Sequence, residues 1–227
     1  MSLELVSIQG GPNIGLWMIA TDNYAFLPDG LTGSFYKIAE RVLHVPLIEI
    51  TTDSRILGAL VCANDNGVVV SHIISDSSLQ NFREKFPNLR IERVEAGYFA
   101  MGNIMITNNR KTLVSPIIGK TEQKSIADAL DTETLVTRVA ESDLIGSLIR
   151  ITERGGVISP IAQDEDEIND LSKILFSAPG KLETSTVNRG FQFPAGGIIA
   201  NSKGALLGNL STGIEIIKIS EALFPDS

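Results

Sequence analysis

The sequence is nearly without the residues from which most sites of chemistry are built: it holds one cysteine, Cys62, and two histidines, His44 and His72. A single thiol excludes an internal disulfide framework and denies a structural zinc site its paired thiolates. A reducing, cytoplasmic setting is the expectation. Two histidines with no acidic motif beside them specify no metal site either. Long apolar runs are missing too, and Met1 to Gly10 alternates polar and apolar residues instead of following a charged stretch with an apolar one. That argues against a signal peptide and a membrane span. No glycine-rich turn leads into the Lys-Ser/Thr of a nucleotide site, so no cofactor is expected. Positive charge is scarce: 19 Lys and Arg stand against 27 Asp and Glu, for a net charge of -8. A broad surface tracking phosphates is thereby excluded, and DNA is not an expected partner. The acidic run Asp164-Glu165-Asp166-Glu167 reads as the solvated first turn of a helix, where carboxylates favour the positive end of the dipole.

What is present is a repeat. The chain has 227 residues and is 43% hydrophobic, enough for a substantial core. The segments GALVCANDNGVVVS from Gly58, GNIMITNNRKTLVSP from Gly102 and GSLIRITERGGVISP from Gly146 share an opening glycine, a β-rich run, a polar turn and a second apolar run. Diverged copies begin at Gly15 and Ala195. Each reads as a hairpin, and the openings recur about every 44 residues, with a longer last interval. The turns Asp65-Asn66-Gly67, Arg154-Gly155-Gly156 and Ser202-Lys203-Gly204 are expected to use positive φ, whereas the third copy, Asn108-Asn109-Arg110-Lys111, has no glycine.

Helices are predicted after the first four hairpins. Their apolar stripes are Phe35, Ile38, Ala39 and Val42; Leu79, Phe82 and Phe86; Ile126, Ala129 and Leu130; and Ile168, Leu171 and Leu175. Ser77 with Gln80 and Asp164 with Glu167 have capping-box spacing. Thr212-Gly213-Ile214-Glu215 has it as well, but the β-branched Ile214, Ile216, Ile217 and Ile219 leave helix and strand both open there. Five units of roughly 9–50, 51–94, 95–138, 139–187 and 188–227 account for one domain. Ring closure is favoured over an open array because both chain ends are as apolar as the middle. The alternating Leu3, Leu5, Val6 and Ile8 can supply the strand missing from the fifth unit, so residues 2–8 close the ring.

Three stretches carry a resemblance to a known family: Ser185-Thr186-Val187-Asn188-Arg189-Gly190, Ile198-Ile199-Ala200-Asn201-Ser202-Lys203-Gly204-Ala205 and Ala100-Met101-Gly102-Asn103. With Ser34-Phe35-Tyr36-Lys37 and the repeat register, the chain resembles the archaeal and eukaryotic translation initiation factor 6 family over essentially its full length. The resemblance implies an α/β pentein ring of five hairpin-helix-strand repeats around a pseudo-five-fold axis, strands lining the centre and helices outside. It implies a monomer that binds the large ribosomal subunit near the sarcin-ricin loop and blocks joining of the small subunit, with roles in initiation and large-subunit biogenesis. The stop at Leu223-Phe224-Pro225-Asp226-Ser227, without a polar extension, resembles the archaeal type.

On that reading the candidate ribosome-binding residues are Asn103, Asn188, Arg189 and Arg93. Asn103 matches a family asparagine at the interface, Arg189 offers a guanidinium to phosphate or carboxylate, and Arg93 is a weaker candidate. Each has a structural alternative: Asn103 satisfying local backbone, Asn188 and Gly190 shaping a loop, Arg93 forming a salt bridge with Glu92 or Glu95 across units. Other penteins modify guanidino compounds with a nucleophilic cysteine and a histidine, so a degenerate enzyme is the competing function. It would require Cys62 and a histidine at the channel mouth. Cys62 is read instead as core packed in its unit, as is Trp17. His44 follows a helix whose last carbonyls it can meet, and His72 ends a strand. No catalytic residue is expected.

Overall fold

The computed structural model describes residues 2–225. Its strands form five three-stranded sheets. In the first four units a hairpin is followed by a helix and a third strand that returns parallel to the second. The four sheets are β2 (Ile19–Ala20), β3 (Ala25–Pro28) and β4 (Leu47–Ile50); β5 (Val61–Ala63), β6 (Gly67–Ser71) and β7 (Arg90–Val94); β8 (Met105–Thr107), β9 (Lys111–Val114) and β10 (Glu133–Val136); and β11 (Ile149–Ile151), β12 (Gly156–Ile158) and β13 (Leu182–Thr184). The fifth sheet takes β14 (Ile198–Ala200) and β15 (Gly204–Gly208) from the end of the chain and β1 (Ser2–Val6) from its start. β1 lies parallel to β15 with Ser2 opposite Gly204 and Val6 opposite Gly208. The N-terminal strand therefore fastens the ring, as its alternating pattern requires.

β2, β5, β8, β11 and β14 contact one another in sequence around the axis. Before each of them the chain makes a short helical turn: Ile14–Leu16, Leu57–Leu60, Met101–Ile104, Ile145–Leu148 and Pro194–Gly197. These turns also touch in a closed cycle. A Cβ on Gly58 would collide with the carbonyl oxygen of Gly15, one on Gly102 with that of Gly58, and one on Gly146 with that of Gly102. The repeat glycine is thus a contact residue between units, needed for backbone-to-backbone approach and not for an unusual dihedral. The β-rich run read after each glycine is a helical turn first and a strand second.

The five apolar clusters lie between neighbouring units. One joins Phe35, Ala39, Val42 and Leu43 of the first helix (Gly33–Leu43) to Val6, Ile199 and Leu206 of the last sheet. Another sets Tyr24, Phe26 and Ile50 of the first sheet against Leu79, Phe82 and Phe86 of the helix Asp76–Lys85 and its C-terminal flank, with Phe26 edge-on to Phe82 at 5.5 Å. Cys62 packs in the third cluster, with Met101, Met105, Ile126 and Leu130 of the next unit. It is core, though shared between units. Each unit buries its sheet under its neighbour's helix, so closure is a requirement of burial.

The hairpin turns do not use positive φ. An asparagine or threonine oxygen organises each of them. Asn64 Oδ1 accepts the N–H groups of Asn66 and Gly67, Asn108 Oδ1 those of Arg110 and Lys111, and Asn201 Oδ1 those of Lys203 and Gly204. Thr21 and Thr152 act likewise through Oγ1. Such a turn needs no glycine, which explains the third copy. Gly67 and Gly204 serve packing instead, since a Cβ on either would strike the carbonyl of Ala129 or Val42 on a neighbouring helix.

Of the helix starts, Thr212 and Glu215 form a reciprocal capping box on the helix Gly213–Leu223, so this segment is helical despite its isoleucines. Asp164 caps the helix Glu165–Leu175 through the N–H groups of Asp166 and Glu167. Ser77 does not cap: the N-cap is Ser75, accepting from Ser78 N–H. His44 terminates the first helix with a left-handed φ of 51°, its N–H bonded to Glu40 O. Trp17 is only half-buried, packed against the first cluster with the Arg55 guanidinium 5.9 Å from its ring. Asp226 and Ser227, at the end of the stretch compared with the archaeal type, lie outside the described residues.

Candidate functional site

The repeat register stacks three cavities along the axis. At the hairpin-turn end, a space of 40 Å³ is bordered by Thr21, Asn64, Asn108, Thr152 and Asn201 and by Asp22, Asp65, Asn109 and Glu153. These residues bind the units together. Asp65 Oδ1 accepts Asn23 N–H at 3.0 Å, Asn109 Oδ1 accepts Asp65 N–H at 3.0 Å, Glu153 Oε1 accepts Asn109 N–H at 2.7 Å, and Asp22 Oδ1 accepts Ser202 N–H at 2.7 Å. Burial raises the pKa of Glu153 above the usual carboxylate range, the charges of Asp22 and Asp65 add to this, and the Asn109 N–H opposes it. This mouth is acidic.

The middle cavity, of 60 Å³, holds Cys62, Ile19, Ile106 and Arg150. Burial pushes the Cys62 thiol up to about 12 against the opposing charge of Arg150. A thiol in that state is a weak nucleophile at neutral pH, and no histidine lines any of the three cavities. Among the described residues no group of three or more His, Cys, Asp and Glu could hold a metal ion. Among the described residues no helix is long and apolar enough to cross a membrane.

At the helical-turn end a wider cavity of 170 Å³ is lined by Leu16, Asn103, Ser147, Arg150, Phe191 and Phe193, among others. Here the structure brings two candidates to one face. Asn103 lies in the turn Met101–Ile104, half-buried at the cavity. Phe191 closes the loop that carries Asn188, Arg189 and Gly190, through a backbone bridge to Val187. All three loop residues have positive φ: 54°, 64° and 93°. Glu215 holds them there. Its Oε2 accepts Arg189 N–H at 3.1 Å and Thr212 N–H at 2.7 Å, and its Oε1 accepts Gly190 N–H at 2.9 Å and Thr186 Oγ1–H at 2.7 Å. Burial would raise the pKa of this carboxyl, but the converging donors outweigh it and hold the value down at about 2. Gln9 with Gly10, and Ala140 with Glu141, repeat the positive-φ loop in two other units, and Glu167 accepts Ala140 N–H at 3.0 Å as Glu215 accepts Gly190 N–H. The carboxylate that governs the loop was legible in sequence only as half of a capping box.

The four candidate residues differ in what they offer. Arg189 is exposed, and its guanidinium makes no hydrogen bond or ion pair among the described residues. Asn188 is buried at 9% exposure; its Nδ2 donates to Pro12 O at 3.0 Å and its Oδ1 accepts from Ser211 Oγ at 3.3 Å. Its side chain locks the loop to the first and fifth units. Arg93 is committed to the helix Asp76–Lys85, with Nη1 at 2.6 Å from Asp76 Oδ1 and 3.2 Å from Ile74 O. The partner is Asp76, neither Glu92 nor Glu95. Arg150 was missed, because it sits inside the apolar run Leu148–Ile151. Laying the five copies in register would have exposed it against Ile19, Cys62, Ile106 and Ile199.

Comparison with known proteins decides the family. A model described as the eIF-6 family matches residues 3–222. The chain belongs to the eIF-6 family. It is 35% identical over 228 residues to translation initiation factor 6 of Staphylothermus marinus, covering 98% of each chain, and 33% identical over 230 residues to that of Thermococcus onnurineus, again 98% of each. Eukaryotic translation initiation factor 6 of Tetrahymena thermophila is 32% identical over 208 residues, 90% of this chain and 83% of that one. These relatives support a role in translation initiation and an archaeal type. Among solved structures, the apo form of ArgZ, a cyanobacterial arginine dihydrolase, superposes with a TM-score of 0.51 at 13% identity, over 74% of this chain and 29% of that one. That likeness carries the pentein fold alone.

Proposed function

We propose that the protein binds the large ribosomal subunit through the helical-turn face of the ring and excludes the small subunit sterically, acting as a cytoplasmic monomer without catalysis. The observation that supports this reading is that Asn103 and Phe191, which ends the positive-φ loop of Arg189, border the same cavity, alongside full-length similarity to proteins named translation initiation factor 6. Arg189 supplies an uncommitted cation and Asn103 an amide with no side-chain hydrogen bond among the described residues. Both suit recognition of ribosomal protein and of RNA near the sarcin-ricin loop. Asn188 supports the loop, and Arg93, held by Asp76, belongs to the periphery of the patch. Because the chain is acidic, few phosphates would be contacted and the salt dependence would be shallow.

The test is sedimentation of the purified protein with isolated large and small subunits, followed by a subunit-joining assay. Co-sedimentation with large subunits alone, and joining suppressed in proportion to occupancy, is the expected result. Binding to neither subunit would refute it. The competing guanidino-modifying function has only the fold in its favour, since Cys62 is packed at 8% exposure with no histidine at the channel.

A further inference from the structure

Arg150 is a half-buried cation with no carboxylate partner among the described residues, set in an otherwise apolar row. In the repeat register its position is filled by Ile19, Cys62, Ile106 and Ile199 in the other units. Its side chain lines both the middle cavity and the wider one at the helical-turn end, and so marks the passage between them. One hydrogen bond is made, from Nη2 to Ala195 O at 3.0 Å. Nε is shielded from solvent and has no partner. No carboxylate pairs with Arg150 among the described residues, and Cys62, beside it, stays a neutral thiol at physiological pH. Guanidinium groups present donors in a planar fork that fits a carboxylate, and a shielded one left unpaired is unfavourable.

We propose that the wider cavity is a binding site for a small monoanionic carboxylate with an apolar body, its charged end paired with Arg150 and its body against Phe191 and Phe193. The cavity measures 170 Å³, close to the roughly 150 Å³ at which an apolar cavity takes up a benzene-sized molecule. Leu16, Phe191 and Phe193 make its wall mostly apolar, while Asn103 and Ser147 add polar groups near the mouth. Entry is set by charge: at the opposite end Asp22, Asp65 and Glu153 would repel an anion, so the ligand comes in from the helical-turn face. This site does not depend on ribosome binding.

The probes are sodium benzoate, sodium acetate, sodium chloride and neutral benzamide, titrated into the full chain at matched ionic strength with thermal melting and saturation-transfer NMR as readouts. A saturable rise in melting temperature with benzoate, a smaller one with acetate, and none with benzamide or chloride is the expected result. Arg150→Met should abolish the benzoate response and melt no lower than the parent without ligand, because it removes an unpaired charge while keeping the unbranched stem of the side chain. Should that variant fail to fold, Ser147→Trp, which fills the cavity and leaves Arg150 in place, should weaken benzoate at least about tenfold. An equal response in the parent and Arg150→Met, an equal response to benzamide, or no saturable response at all would overturn the proposal. A response to chloride matching that to benzoate would reduce the site to a simple anion site and refute the apolar part of the inference.

Discussion

The side-chain amide of Asn201 donates to the carbonyl oxygen of Leu43 at 2.9 Å, tying the last hairpin turn to the end of the first helix. The same bond recurs from Asn64 to Leu130 O at 2.9 Å and from Asn108 to Leu175 O at 2.8 Å, and Thr152 makes it through Oγ1 to Leu223 O at 3.1 Å. Each of these four turns thus captures an orphan carbonyl at the C-terminus of its neighbour's helix. At the Asn201 seam the first and last units meet, so that bond supports the closure made by β1 on β15.

Asn201→Ala should therefore destabilise the fold by about 3 kcal/mol, because it removes donors and acceptor of a turn and strands buried backbone groups. Denaturant unfolding reads this out. Asn201→Asp should also be destabilising, since the oxygen remains but the donor to Leu43 O and Thr21 O is lost. A loss below about 0.5 kcal/mol for both variants would show that this amide adds little to a seam already held by the β1–β15 ladder and apolar packing.

The contact between repeat glycines gives a sharper contrast. Gly58→Ala should cost about 3 kcal/mol, as its Cβ would meet backbone that cannot turn aside. Gly33→Ala, at the start of the first helix with nothing within 4 Å, should be neutral or stabilising by up to about 1 kcal/mol. Melting curves for the pair distinguish a packing role from a general effect of replacing glycine.

How much of this was legible follows from what each residue does locally. The repeat glycines and apolar stripes announced five units, since period and hydrophobicity are properties of neighbours in sequence. The strand of Leu3, Leu5, Val6 and Ile8 announced closure because its alternation had no partner nearby. Hidden were the contacts that depend on two units at once: the capture of Leu43 O by Asn201, the Ala140 loop held by Glu167, and the charge of Arg150 inside an apolar run. Isoleucines in the helix Gly213–Leu223 left helix and strand undecided by propensity, and Ile214 and Ile217 are 72% and 60% exposed on it.

Glu215 makes a pH prediction. Its folded pKa of about 2 lies below the ordinary 4.5, so its contribution is fully present above about pH 4.5 and is lost as pH falls toward 2. Allowing for screening, that contribution is about 2 kcal/mol. Glu215→Gln should lose this at pH 7, and the gap between variant and parent should narrow as pH is lowered from 5 to about 2 in urea melts. A gap independent of pH would mean that the carboxylate is replaceable by any acceptor.

Cys62 should be inert in the folded protein. A thiol at 8% exposure, with its pKa raised to about 12, presents little thiolate and little access. Labelling by a thiol-reactive disulfide should then proceed at the rate of unfolding and accelerate in denaturant. Cys62→Ser should cost about 1 kcal/mol in stability and leave any subunit binding unchanged. Rapid labelling of the native protein would revive the enzymatic reading.

The placement of the interface is tested by separating residues that would touch the ribosome from residues that hold them. Arg189→Glu keeps every backbone bond to Glu215, because those come from N–H groups, and it reverses only an exposed charge. On the proposed function it should weaken large-subunit binding by about 2 kcal/mol, roughly thirtyfold, with unchanged melting. Asn103→Lys should weaken it as well, by inserting a long cation at the cavity rim. Asn188→Ala should show the opposite division: its Nδ2 bond to Pro12 O is internal, so stability falls first and binding follows from loss of the loop. Arg93→Ala should change binding by less than about 0.5 kcal/mol, since that guanidinium is already occupied by Asp76 and Ile74 O. Sedimentation of each folded variant with large subunits measures all four. If Arg93→Ala were the damaging change while Arg189→Glu and Asn103→Lys bound as the parent does, the contact face would lie at the ring's periphery and not around the mouth of the channel.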